Sequence, residues 1–301
     1  MEIGNEGHLK GLDLENCSDT MNPERRIDFE LVLIRHGNTT WNQERRYLGH
    51  TDLPLLAEER HKLAALQPLP ELAGDFRRVY CSDLLRCRET LSAMAPHLEQ
   101  QAAFDPRLRE LNFGAWEGCT YDQLRHNNNY RRWIDDPGSV TPPEGESWAG
   151  FEARLDQFWG QLEQELEQVQ VQMQELELGL ERELGQVQVQ EAELAAINAS
   201  RTSTGLEDST HIVSSSQPAS HHASPQQQDS APNLLSRGGL SKQPSPLRVL
   251  IVTHGGIIRL LLARLNEGVT FYTAAAPAPG EVIVLTLRRD EGAWRAVSFE
   301  T

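Results

Sequence analysis

Two histidines occupy the same kind of place in this chain. His36 follows the apolar run Leu31-Val32-Leu33-Ile34 and Arg35, and precedes Gly37. His254 follows the apolar run LRVLIV and Thr253, and precedes Gly255-Gly256. Histidine, with an ordinary pKa of about 6.5, can act as nucleophile, acid or base near neutral pH. Arg86 lies one turn into the helix expected from SDLLRCRETLSAM. Glu110 lies in the glycine-rich loop LRELNFGAWEG, beside Phe113 and Trp116. Together these types suit an anionic substrate: fixed cationic donors to match its charge, and a carboxyl to give and take a proton. Each also has an ordinary alternative. Arg35 and Arg86 could be surface ion-pair partners, Glu110 a solvated loop carboxylate, and Trp116 reads as a packing residue.

The elements that must position these groups can be read from pattern. Strands are expected at Phe29–Ile34, Arg77–Tyr80, Leu247–Val252 and Glu281–Leu287. Helices are expected at Glu58–Leu66, after Ser82-Asp83 (short oxygen-bearing side chains suited to capping), at Gly150–Trp159 and over IIRLLLARL. Strands alternating with helices predict an α/β fold, a three-layer sandwich with a mostly parallel sheet flanked by helices. In such sheets ligands bind in the crevice outside the carboxyl ends of strands, which is where Arg35-His36 and His254 fall. His254 also stands just before a helix, whose first amides favour an anion.

The bulk composition narrows the partners. The chain has 301 residues, and 28 Lys plus Arg against 44 Asp plus Glu give a formal charge of −16. Such a surface repels nucleic acid and anionic membranes. Lysine occurs only at Lys10, Lys62 and Lys242, so anion binding falls to arginine. Cys17, Cys81, Cys87 and Cys119 have neither CxxC nor metal-ligand spacing and read as reduced thiols, with Cys81 and Cys87 as small apolar fillers. His221-His222 has no ligand cluster around it. No signal peptide and no membrane span is expected, which points to the cytoplasm.

The middle of the chain is different in kind. Leu162, Leu166, Val169, Met173, Leu176, Leu180, Leu184 and Val187 recur at spacings of four and three, predicting a long helix with a narrow apolar seam over 161–197. A seam of that kind suits self-association or a partner helix. Ser, Gln, Pro, His and Thr dominate 198–246, which is expected to be disordered. The expected organisation is a loose extension over 1–27 (within which Met21 offers a second start), a first domain part at 28–160, the insert at 161–246 and a second part at 247–301.

Four motifs, LVLIRHGNTTWN, SDLLRCRET, LRELNFGAWEG and IVTHGGIIR, resemble those of the histidine phosphatase superfamily in type and order. That superfamily includes phosphoglycerate mutases and many small phosphatases. The resemblance implies a phosphoglycerate mutase-like fold and a phosphohistidine formed on His36. It also implies phosphate held by Arg35, Asn42, Arg86 and His254, with Glu110 protonating the leaving group, and it implies no metal and no cofactor. Asn42 could otherwise be a turn residue. For its role Glu110 needs a pKa raised above the usual 4.3 or so, which burial beside Phe113 and Trp116 would favour.

Asn112-Phe113 stand where the mutases usually show Arg-x-Tyr, and no lysine follows, so hydrolysis is expected over mutation. LNFGAWEG together with PPEGES at 142–147, ahead of a helix containing Phe151 and Arg154, looks like the α-ribazole phosphatases. That likeness implies α-ribazole 5′-phosphate as substrate, in the nucleotide-loop step of cobalamin biosynthesis. Broad sugar- or nucleotide-phosphate hydrolysis is the alternative. Leu56-Ala57-Glu58-Glu59 replaces a common Thr-x-x-Gly and removes the usual chemistry of that helix start.

Overall fold

A computed structural model describes residues 28–203, 246–290 and 292–300. The extension expected at 1–27 with its second Met, the polar tract from 204 to 245 and His221-His222 lie outside the described residues. The chain divides into two compact units, Met1–Glu163 with Pro244–Thr301, and Gln164–Gln243.

In chain order the first unit carries β1 (Phe29–Arg35), α1 (Thr40–Gln43), α2 (Ala57–Ala64), β2 (Arg78–Cys81), α3 (Leu85–Met94), β3 (Ala102–Phe104), α4 (Tyr121–Leu124) and α5 (Asn128–Asp135). Helix α6 (Trp148–Ser203) begins in it. β4 (Leu247–Thr253), α7 (Gly255–Leu265), β5 (Val282–Asp290) and β6 (Ala293–Glu300) complete it. The six strands form one sheet in the order β3-β2-β4-β1-β5-β6. β3, β2, β4 and β1 run parallel, and β5 and β6 add to the β1 edge antiparallel. The sheet is thus mixed, with a parallel half that carries the chemistry.

The central strands are nearly continuous apolar runs because both of their faces are covered. Alternate residues Val32 and Ile34, Val79 and Cys81, and Leu250 and Val252 share one core with Leu63 of α2 and Leu91 and Met94 of α3. On the other face Tyr80 meets Phe158 of α6 edge to face, with ring centroids 5.0 Å apart. Helices therefore cover both sides, giving the three layers. Burying one such leucine fully stabilises the fold by about 1.5–3 kcal/mol.

Register sets the site. Arg35 of β1 pairs with Thr253 of β4, and Cys81 of β2 with Val252. The next amides continue the ladder, His36 N–H to Thr253 O and Ser82 N–H to Val252 O, each at 2.9 Å. Three neighbouring strands thus end together, and His36, Ser82 and His254 leave the same edge.

Some expectations needed correction. β3, β6 and α5 were not foreseen. β6 is an edge strand in which Trp294 alone is buried, against Phe29 with ring centroids 4.7 Å apart. Ser82 and Asp83 do not cap α3: Leu84 holds the cap position without a side-chain bond, and Asp52 Oδ1, distant in sequence, accepts the Leu85 N–H at 2.7 Å. α2 starts at Leu56-Ala57 with no side-chain cap, and Glu58 and Glu59 place negative charge in its first turn instead.

In the second unit α6 continues helical to Ser203, past the boundary expected at 197 and through Gly179 and Gly185. Leu176, Leu180, Leu184 and Val187 of the seam are exposed there. Among the described residues no helix is long and apolar enough to cross a membrane.

Candidate active site

His36 Nδ1 lies 2.7 Å from the Gly37 carbonyl oxygen. A carbonyl only accepts, so Nδ1 carries the proton and Nε2 keeps its lone pair. Burial first, then the positive charge of Arg86 and that of Arg35, hold this imidazole well below the ordinary histidine pKa. It is a neutral imidazole at neutral pH, more firmly than an unperturbed pKa would make it.

His254 is fully buried, and its ring stands 5.0 Å from that of His36 with the planes 62° apart. Its Nε2 lies 2.9 Å from Ser82 Oγ and 3.5 Å from Cys87 Sγ. Burial lowers its pKa strongly, and Arg86 and His36 add to the effect. Ser82 was expected at a helix start; its hydroxyl turns instead to the imidazole from the neighbouring strand. Cys81 and Cys87 are buried in the core, and burial pushes the Cys87 thiol up to about 12.

Arg86 is entirely buried, which removes the reading of a surface ion pair for it. Its Nη1 donates to Thr51 O at 3.0 Å and its Nη2 to Gly49 O at 2.6 Å. Arg35 Nη1 donates to Pro277 O at 2.7 Å. In both arginines Nε is buried without a hydrogen-bond partner, and His50 Nε2 shares that condition. An unsatisfied buried donor is costly, and a phosphoryl oxygen is the acceptor that satisfies a charged one best. His50 was not picked out from sequence, since nothing local marks it.

Glu110 Oε2 accepts the Gly256 N–H at 2.8 Å, and Oε1 accepts the Leu111 N–H at 3.0 Å. Its charge acts on both Arg35 and Arg86. Trp116 packs with Tyr130 and Trp133, at centroid distances of 5.4 and 5.5 Å. The loop is clamped by Arg154 of α6. Its Nη1 donates to Arg107 O and Arg109 O, each at 2.6 Å, and its Nη2 to Glu110 O at 2.9 Å. Glu146 of the PPEGES segment pairs with Arg154 at 2.7 Å, so that motif positions the carboxyl-bearing loop.

Asn42 stands apart from this group in its hydrogen bonding. Its Oδ1 accepts the Thr39 N–H at 3.0 Å and the Thr39 hydroxyl at 2.8 Å, closing a capping box on α1. Its Nδ2 makes no hydrogen bond to a described residue. The fold therefore gathers Arg35, His36, Arg86, Glu110 and His254, with Ser82, His50 and Arg154 as additions. A cavity of about 570 Å³ opens beside them, lined at one end by Arg35, Glu110, Gly255 and Gly256 and elsewhere largely by aromatic side chains.

Residues 31–173 match the family model described as the histidine phosphatase superfamily (branch 1). The chain is 37% identical over 130 residues to the protein named "Probable phosphoglycerate mutase GpmB" of Shigella dysenteriae serotype 1, covering 42% of this chain and 60% of that one. The protein of the same name in Escherichia coli O1:K1 gives the same identity and coverage. This chain thus spans about 60% of the length of the curated relatives it matches. Among solved structures, that of the alpha-ribazole phosphatase from Shigella flexneri superposes with a TM-score of 0.57, covering 91% of this chain and 96% of that one. At 19% identity that is a likeness of fold.

Proposed function

The chain belongs to the histidine phosphatase superfamily, and on that premise we propose that it hydrolyses small phosphate monoesters through a phosphohistidine on His36. One observation carries the reading: a neutral buried imidazole with a free Nε2 lone pair, flanked by two arginines whose Nε–H groups lack partners.

Arg35, Arg86 and His254, with the Asn42 side-chain amide, hold the phosphoryl oxygens, and His36 Nε2 attacks phosphorus in line. The phosphorus–oxygen bond to the alcohol breaks as the Glu110 carboxyl gives a proton to the departing oxygen. The Glu110 carboxylate then takes a proton from water, whose oxygen displaces His36 from phosphorus and releases inorganic phosphate. Fixed donors around the phosphoryl group strengthen as its charge redistributes.

Within this class the proposed substrate is α-ribazole 5′-phosphate in cobalamin nucleotide-loop assembly, supported by the LNFGAWEG and PPEGES segments. Broad-specificity hydrolysis and phosphoglycerate mutation are the competing outcomes. A substrate panel decides: wild-type turnover of p-nitrophenyl phosphate with none by His36→Ala supports hydrolysis, and α-ribazole 5′-phosphate as best substrate supports the narrow assignment. Interconversion of phosphoglycerates only when primed with the bisphosphate would make it a mutase.

A second role is favoured by the exposed seam of α6, which we propose as a surface for self-association or for a partner helix. A Leu176→Gln, Leu180→Gln, Leu184→Gln variant with unchanged solution mass ends the self-association reading.

A further inference from the structure

The cavity beside the phosphate-binding group is larger than a phosphoryl group needs. Its volume of about 570 Å³ falls among small-molecule sites, which run to roughly 300–1,000 Å³. Two aromatic clusters line it. Tyr47, Phe113 and Trp133 have ring centroids 5.0 to 6.1 Å apart, and Trp148, Phe271 and Tyr272 follow one another at 4.7 and 5.5 Å. Between such walls an organic group gains by stacking, whereas a small hydrated polyol leaves apolar surface uncovered.

Among the described residues, one cation other than Arg35 lines this chamber: Arg259 of α7. Its guanidinium lies over Phe271, 5.6 Å from the ring centroid, and its Nε is buried without a hydrogen-bond partner. No described residue forms an ion pair with it, and it acts on Arg35 as a like charge. In a chain of net charge −16, this cation lines the chamber with no described carboxylate paired to it. A guanidinium offers a flat face for stacking and in-plane N–H donors at its edge.

We propose that this chamber is the leaving-group subsite and that Arg259 is its specificity-determining residue, selecting phosphate esters whose alcohol carries a flat aromatic ring with hydrogen-bond acceptors on its edge. The inference rests on the hydrolase reading for the position of the phosphate. It adds which residues choose among esters once the phosphate is held.

The test is calorimetry on the full chain carrying His36→Asn, which cannot form the phosphoenzyme. AMP and ribose 5-phosphate share the same phosphorylated carbon and differ by the ring; 3-phosphoglycerate brings a carboxylate in its place. AMP binds at least about tenfold more tightly than ribose 5-phosphate, as expected for ring stacking. Adding Arg259→Met, or Tyr272→Ala at the exposed rim, brings that ratio to within about threefold, and orthophosphate affinity measured in parallel reports the phosphate site alone. Equal binding of AMP and ribose 5-phosphate overturns the proposal, as does a ratio left unchanged by Arg259→Met or tightest binding of 3-phosphoglycerate. Wild-type turnover of p-nitrophenyl phosphate is scored separately. A ring preference without turnover keeps the subsite and removes the hydrolase, and turnover without a ring preference does the reverse.

Discussion

The Gly256 N–H donates to Glu110 Oε2 at 2.8 Å, and a Cβ built on Gly256 would stand 2.2 Å from Glu110 Oε1. The second glycine of THGG therefore leaves room for the carboxyl as well as a donor for it. In Gly256→Ala the clash falls on the far end of a flexible side chain, so the fold survives and the carboxyl moves. Turnover of an alkyl phosphate is expected to drop by about a hundredfold, the scale of a lost general acid. p-Nitrophenyl phosphate, whose leaving group needs no proton, should lose far less. Equal losses on both esters would remove Glu110 from the role of acid.

Asn42→Asp separates two jobs of one side chain. Aspartate keeps the acceptor for Thr39 and thus the capping box, but replaces the Nδ2–H donor with a negative charge. If Asn42 holds phosphate, kcat/KM falls by about a hundredfold or more, the scale of one lost donor to developing charge. A variant with wild-type kinetics and Tm confines Asn42 to capping.

Stability should decline below neutral pH. His36 and His254 are both held neutral by burial and by Arg86, whereas the same side chains in the unfolded chain titrate at about 6.5. Above that pH both states carry them unprotonated. Below it the unfolded chain takes up protons that the fold resists, costing about 1 kcal/mol per pH unit for each histidine until its depressed native pKa is reached. Urea unfolding at pH 7.5, 6.5 and 5.5 measures the slope, and His254→Gln should reduce it. A profile that is flat through this window contradicts the neutral pair.

Arg154→Lys tests the loop clamp. Lysine keeps the charge beside Glu146 but cannot reach three carbonyls with a planar fork. Because Arg154 acts through the backbone of Glu110, the expected loss of about tenfold lies in kcat with alkyl esters, while KM and orthophosphate inhibition stay near wild type. A rise in KM alone would assign Arg154 to substrate binding.

Much of this arrangement was legible because it is local in sequence. An apolar run ending in Arg-His-Gly, and another ending in Thr-His-Gly-Gly, announce strands that carry their chemistry at the carboxyl end. What stayed hidden depends on partners far along the chain. Ser82 reads as a cap until β4 places His254 beside it, and Asp52, 33 positions before Leu85, takes over the capping of α3. His50 has no local mark, and Arg154 shows its use only once α6 lies against the loop before Glu110. β6 was missed for a different reason: as an edge strand with Trp294 alone buried, AWRAVSFE has too weak an alternation to announce itself.

The sheet order has a consequence for how the molecule is made. β4, the strand that ends at His254, lies between β1 and β2, yet its residues come 212 positions or more after β1 and 166 or more after β2. A nascent chain that has emerged only as far as α6 holds two central strands with unpaired edges facing each other across an empty slot, exposed to pairing with the wrong neighbour. Residues 247–253 must be made before that slot is filled, so the pocket and the pairing of those two strand edges arrive together in one late step.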